Sequence, residues 1–233
     1  MAQFYAVSEV DLVGSMDPLP IPTVGSAPIT VNNFAVVNST EYYNFNVDST
    51  FIATPDIKSW SHLKYTAPYN NGIGETDQVW KADSGDSYSL LDLIAILVTP
   101  SGTDPTKTAF TEQDFNQFFF EFNDRIHGSE EDDMLCGWAG NDRMWGNGGN
   151  NKFYFGQGMD KDKIMDFSKA NDDLYLDEDF ASTFKQLKKM VTYNTNKNIT
   201  KIKDGGDVLK VYGIDTQKEL KSVVHFDDFT DFA

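Results

Sequence analysis

Gly128-Ser-Glu-Glu-Asp-Asp133-Met-Leu135-Cys, Gly137-Trp-Ala-Gly140-Asn-Asp142-Arg-Met144-Trp and Gly146-Asn-Gly148-Gly149-Asn-Asn151-Lys-Phe153-Tyr are three units of nine residues in phase. Each has an acid or amide at its sixth position and an apolar residue at its eighth. A fourth turn, Phe155-Gly156-Gln-Gly158-Met-Asp160, loses the pattern after its sixth position. One turn upstream, Asp124 and Ile126 hold the sixth and eighth positions without glycines. Eight of the chain's 17 glycines lie between Gly128 and Gly158. Glycine lets a turn adopt positive φ and lets carbonyls approach one another closely. The first six residues of each unit therefore read as a turn. The last three read as a very short strand whose one inward side chain (Leu135, Met144, Phe153) fills a core.

Two units make one coil, so equivalent turns stack every 18 residues, and carboxylates and carbonyls in adjacent turns repel unless a cation lies between them. Ca²⁺ suits such a gap, because it takes six to eight oxygen ligands at about 2.3–2.6 Å in flexible geometry. No nitrogen or sulfur ligand is needed, which argues against zinc. The expected metal-facing set is Asp124, Gly128, Glu130, Asp133, Gly137, Ala139, Gly140, Asp142, Gly146, Gly148, Asn151, Gly156, Gly158 and Asp160. The best site is expected where Asp142 stacks on Asp160. Asp133 faces Asn151, a neutral amide, so that stack is expected to bind more weakly unless Glu130–Asp132 or Asp124 contributes.

These residues resemble the RTX, or haemolysin-type, calcium-binding repeat proteins, whose unit is Gly-Gly-x-Gly-x-Asp-x-(apolar)-x. The likeness continues through Phe153-Tyr-Phe155 into Asp162-Lys-Ile164-Met-Asp166-Phe167, which matches the family's closing Asp-x-Ile-x-Asp-Phe. It extends more loosely over Asp172–Leu176 and Gly206–Gly213, and it does not reach residues 1–110. The resemblance implies a parallel β-roll, export by a type I ABC transporter through an uncleaved C-terminal signal, and folding on meeting extracellular calcium. The final Asp231-Phe232-Ala233 matches the family's usual ending only in part.

Composition, leader and span taken alone suggest a soluble cytoplasmic protein, an expectation that the repeats overturn in favour of a secreted one. Its 233 residues carry a net charge of −17, with 40% hydrophobic and 14% aromatic residues. That is too apolar for general disorder, and too acidic for nucleic acid or anionic membranes as partners. The charge is −8 over residues 1–109, −3 over 110–127, −8 over 128–179 and +2 over 180–233. Cys136 is the only cysteine, so no disulfide framework forms within the chain. Met1–Met16 lacks the basic and apolar regions of a secretory leader. The longest apolar run, Leu90–Val98, contains Asp92 and is too short to span a membrane.

The expected architecture is mainly β. Residues 1–110 form a β-rich (α+β) region, 111–123 a lead-in helix, 124–167 the β-roll, and 168–233 a β-rich cap carrying the secretion signal. Strands are expected over Gln3–Val7, Ile29–Val37, Tyr42–Val47, Thr50–Ala53, Ile199–Ile202 and Val208–Tyr212. A helix over Tyr88–Val98 would start at Asp86 or Ser87. A second follows a capping-box-like Thr111/Asp114, with Phe115, Phe118, Phe119 and Phe122 on the face that docks on the first coil. A third would carry Phe180, Phe184, Leu187 and Val191, capped by Ser182 or Thr183.

No catalytic constellation is present. His62, His127 and His225 are scattered, so no His-Glu-x-x-His zinc helix exists. There is no Gly-x-Ser-x-Gly elbow. Gly85-Asp86-Ser87 resembles the start of a GDSL-type esterase block, but no apolar strand leads into it. Ser222 stands where the later Asp-x-x-His of those esterases would need an acid. The reading is an exported non-enzymatic protein that binds calcium and uses residues 1–110 to meet an extracellular ligand. The alternative is a small secreted effector or pore-former acting on membranes.

Overall fold

The computed structural model describes the backbone of residues 3–6, 33–37, 41–48, 56–65, 76–89 and 112–228, with side chains from 116 onward. Its centre is a parallel β-roll. Strands β6 (Arg125–His127), β8 (Arg143–Trp145) and β10 (Lys161–Ile164) run parallel in one sheet. Strands β7 (Met134–Cys136), β9 (Lys152–Phe155) and β11 (Asp173–Asp177) run parallel in the other. Arg125 lies opposite Arg143, and Met134 opposite Lys152, so one coil is 18 residues as expected. Side chains in a strand alternate between faces, so a three-residue strand sends its middle residue inward. Ile126, Leu135, Met144 and Phe153 are accordingly buried in one apolar core.

After the third repeat the coil lengthens. Lys163 lies opposite Arg143, 20 residues away, and Asp173 opposite Lys152, 21 away. Inward Ile164, Leu174 and Leu176 continue the core. A hairpin then caps the roll: β13 (Ile199–Asp204) pairs antiparallel with β14 (Asp207–Tyr212) around Gly205, whose φ is +52°. Strand β14 lies parallel to β10 and extends the first sheet. Both strands expected here are present, each slightly longer than its apolar run.

The expected third helix shrinks to one turn, α2 (Phe184–Leu187). The Thr183 hydroxyl accepts from the Gln186 amide and caps it, as expected. Phe180 is buried before the helix, whereas Val191 belongs to β12 (Val191–Asn194), which pairs antiparallel with β13. The β-branched and aromatic run Val-Thr-Tyr fits an available sheet edge better than a helix continuation. A further helix, α3 (Gln217–Val223), leads into β15 (Val224–Asp227), which lies parallel to β11.

Upstream, helix α1 (Glu112–Phe119) is present, but its buried face differs from the expected one. Phe119 and Phe120 are fully buried in the roll core and Phe118 packs against it, while Phe122 is 37% exposed. The helix ends at Phe119, so helical spacing no longer governs the residues after it. The Phe115 side chain lies outside the described residues. Strands β1 (Gln3–Ala6), β2 (Asn33–Val37), β3 (Glu41–Asp48), β4 (Asp56–Tyr65) and β5 (Thr76–Ser89) form an antiparallel set, and β1 lies parallel to β6. The larger sheet thus runs β12-β13-β14-β10-β8-β6-β1-β5-β4-β3-β2 among the described residues, and the smaller one β15-β11-β9-β7. Strand β5 passes through Asp86, Ser87 and Tyr88, where a helix start was expected, while 90–98 and Thr50–Ala53 lie outside the described residues.

Candidate metal centre

Backbone approach positions the turns. Gly140 has φ +123°, and a Cβ there would lie 2.1 Å from the carbonyl oxygen of Phe122. Gly149 has φ +80°, and its Cβ would lie 2.0 Å from the carbonyl oxygen of Glu131. Each glycine presses on the residue 18 before it, so only a residue without a side chain lets the turns stack.

The sixth positions then build two ladders on opposite edges of the roll. On one edge the Asp124 amide donates to Asp142 Oδ1 at 2.6 Å, and the Asp142 amide donates to Asp162 Oδ1 at 2.9 Å. All three aspartates are 1% exposed. The second oxygens, Oδ2 of Asp142 and of Asp162, are buried and accept no hydrogen bond. Asp142 Oδ2 points into its own turn, 2.5 Å from where a Cβ on Gly137 would be. Burial, then the neighbouring Asp162 carboxylate, raise the Asp142 carboxyl far above the ordinary range. Burial also raises Asp162. The ion pairs among the described residues, Lys169–Glu219 and His225–Asp173, involve neither.

Two buried carboxylates on adjacent coils, each with an unsatisfied oxygen and no basic partner, fit a hard divalent cation. Among the described residues no three His, Cys, Asp or Glu side chains gather about one point. A cation held here would therefore take its remaining oxygens from turn carbonyls. The soft and nitrogen donors are elsewhere: Cys136 is buried with its Sγ 4.0 Å from Met159 Sδ, and His127 stacks on Trp145 with ring centroids 4.4 Å apart.

The partner of Asp142 is thus Asp162, where the period of nine pointed to Asp160. The turn after Phe155 carries two extra residues. Asp160 is exposed with φ +54°, and its amide and that of Gly158 donate to the Asp207 carboxylate at 3.0 and 3.1 Å. Gly156 donates to Met159 Sδ instead of facing the ladder. The signal that finds Asp162 is the pair at positions six and eight, Asp-x-apolar. It recurs at Asp124–Ile126, Asp142–Met144, Asp162–Ile164, Asp172–Leu174 and Asp207–Leu209. Asp166, outside the expected set, closes the third turn by accepting from the amides of Gly146 and Asn147 at 2.8 and 3.0 Å.

The other edge is wired differently. The Asp133 amide donates to Asn151 Oδ1 at 3.0 Å, and the Asn151 amide to Asp172 Oδ1 at 2.9 Å. Here the Asp133 carboxylate accepts from the amide and hydroxyl of Ser129. The side-chain NH₂ of Asn151 bridges the Gly148 carbonyl at 2.8 Å and Asp172 Oδ1 at 3.2 Å. Gly128, Gly146 and Gly148 line this edge, with exposed Glu130 over Gly148. Ala139 is half-buried in the turn of Asp142.

Compared with known proteins, the family model for the RTX calcium-binding nonapeptide repeat, in four copies, matches residues 120–158. That span covers the stacked turns from the helix end to Gly158. Residues 120–158 form an RTX repeat array. RTX nonapeptide repeats bind Ca²⁺, so the chain is a calcium-binding protein. No curated protein matches the chain in sequence.

Proposed function

We propose that the chain is an exported, non-enzymatic protein whose fold is completed by extracellular calcium at the Asp124–Asp142–Asp162 edge of the RTX array. The observation that carries this reading is the pair of buried carboxylates whose Oδ2 atoms accept no hydrogen bond. Calcium, when bound, supplies positive charge and an oxygen-accepting coordination sphere at that place. Asp142 and Asp162 would hold it, Gly137 leaves it room, and the Asp124 and Asp142 amides fix the carboxylates in position. Without a cation the two acids oppose stacking of their coils, so metal binding and folding are one equilibrium.

In this reading residues 124–167 are the calcium-dependent roll and 111–123 its lead-in. Residues 168–233 form the cap that carries a type I export signal, and 1–110 meet an extracellular ligand. The RTX repeats support the export route, and a single buried cysteine suits a chain that crosses compartments. No helix among the described residues is long and apolar enough to cross a membrane. The test is circular dichroism of the purified chain during calcium addition. β-Structure should appear between about 10⁻⁴ and 10⁻³ M Ca²⁺, the range of extracellular modules, and Mg²⁺ should not elicit it. A spectrum indifferent to calcium and to chelator would overturn the reading.

A further inference from the structure

The outward face of the larger sheet carries a row of cations in register. Arg125 lies opposite Arg143, Arg143 opposite Lys163, Lys163 opposite Lys210, and Lys210 opposite Lys201. The five occupy five neighbouring strands, β6-β8-β10-β14-β13, and so span about 19 Å at roughly 4.8 Å per strand. They alternate with buried Ile126, Met144, Ile164, Val211 and Ile202, which puts all five on the solvent side. All are half-buried, and among the described residues none forms an ion pair. The next outward positions include Lys161, His127, Trp145, Tyr212 and Ile199, none of them acidic.

Like charges directly opposite on a sheet are destabilising. The proximity is felt: burial, then Arg143 and Lys210, depress the Lys163 ammonium. Five of the chain's 19 basic residues are spent on one line of a molecule with net charge −17. At the β13 end the row opens into a cavity of about 680 Å³ lined by Lys197, Lys201, Lys210, Tyr193, Tyr212 and Asn194 among others. Thr192, Asn194 and Tyr212 share the outward face of Lys201 and Lys210 there, whereas the Tyr193 side chain, opposite buried Thr200, packs on the core side.

We infer that this face is a binding track for a linear acidic polysaccharide lying across the strands, with one end seated against Tyr212. A cation on every strand matches a polymer bearing a regularly repeated carboxylate or sulfate. The Thr192 hydroxyl and the Asn194 amide suit sugar hydroxyls, and the Tyr212 ring offers an apolar face to a pyranose ring. The acidic remainder of the molecule disfavours duplex nucleic acid, with one charge per about 1.7 Å, and a broad anionic membrane.

The experiment is binding of the full chain, in saturating calcium, to hyaluronate and chondroitin sulfate, with neutral dextran, single-stranded DNA and phosphatidylserine vesicles beside them. Lys163→Gln and Lys210→Gln should each weaken polysaccharide binding about fivefold, and the double charge reversal to Glu should abolish it. Lys185→Gln, on α2 away from the row, should leave it unchanged. Because the Gln variants remove like-charge repulsion, their melting temperatures should hold or rise, which separates loss of binding from misfolding. Equal binding by wild type and variants, equal binding to dextran, or preference for DNA or vesicles would overturn the assignment. Calcium-driven folding is read independently by dichroism, so failure here leaves that reading untouched.

Discussion

Asp142 and Asp162 set the chemistry of the molecule at the residue scale. Each is buried against the other's coil, and each has its carboxyl raised from an ordinary value near 3.8. In the metal-free fold such a group binds its proton more tightly than in the unfolded chain, so the native state holds more protons and stability falls as pH rises. The contribution is intact below the ordinary carboxylate range and is lost above it, on the way to the raised values. In chelator, the fraction of chain holding β-structure should fall between about pH 4 and pH 8, and Asp162→Asn should flatten that slope. In calcium the trend should reverse, since the cation needs ionised carboxylates; circular dichroism in the two buffers checks both signs. Asn151 holds the equivalent position on the opposite edge, where its NH₂ already joins the Gly148 carbonyl to Asp172. Asn151→Asp replaces that donor by an acceptor. It should add about one calcium equivalent per chain, counted by calorimetric titration, while weakening the metal-free fold by about 1–3 kcal/mol.

Elements follow from repeats where local pattern and tertiary demand agree. The nine-residue period gave the three central strands, their inward residues and the 18-residue stacking, because glycine spacing and one apolar position per strand leave little else for the chain to do. It failed where an insertion changed the coil length: Asp162, two residues past the expected partner, took the place under Asp142, and only the Asp-x-Ile164 pairing marked it. Helices were less legible. Val191 continued an amphipathic spacing, yet β13 offered an edge, and pairing with Ile202 outweighed one more helical turn. Phe122 continued a stripe after the helix had ended, and Phe120 went into the core instead. The basic row was invisible to a linear reading, since its members come from strands far apart in sequence and meet only through register. The stacking glycines give a sharp test. Gly140→Ala pushes a Cβ into the Phe122 carbonyl at positive φ, and it should destabilise the calcium-loaded protein by more than about 1 kcal/mol in denaturant titration. Gly158→Ala has no heavy atom within 4 Å of the added carbon and should cost less despite its φ of +81°.

Among the described residues the RTX array builds a short roll, with Phe119 and Phe120 buried at its upstream end, β1 continuing the larger sheet from β6, and the β13–β14 hairpin extending that sheet at the other end. Ligand binding to the folded state alone stabilises it by about 2.7 kcal/mol at a hundredfold excess over the dissociation constant, a sizeable share of a domain's usual 5–15 kcal/mol. The measurement that tests this account most directly is calorimetric calcium titration of three chains side by side: wild type, Asp162→Asn and Asp160→Asn. The account predicts that Asp162→Asn loses at least about tenfold in affinity at the strongest site, equal to about 1.4 kcal/mol, while Asp160→Asn binds like wild type. Equal affinity in all three, or a loss confined to Asp160→Asn, would contradict it and return the site to the position that the nine-residue period alone would choose.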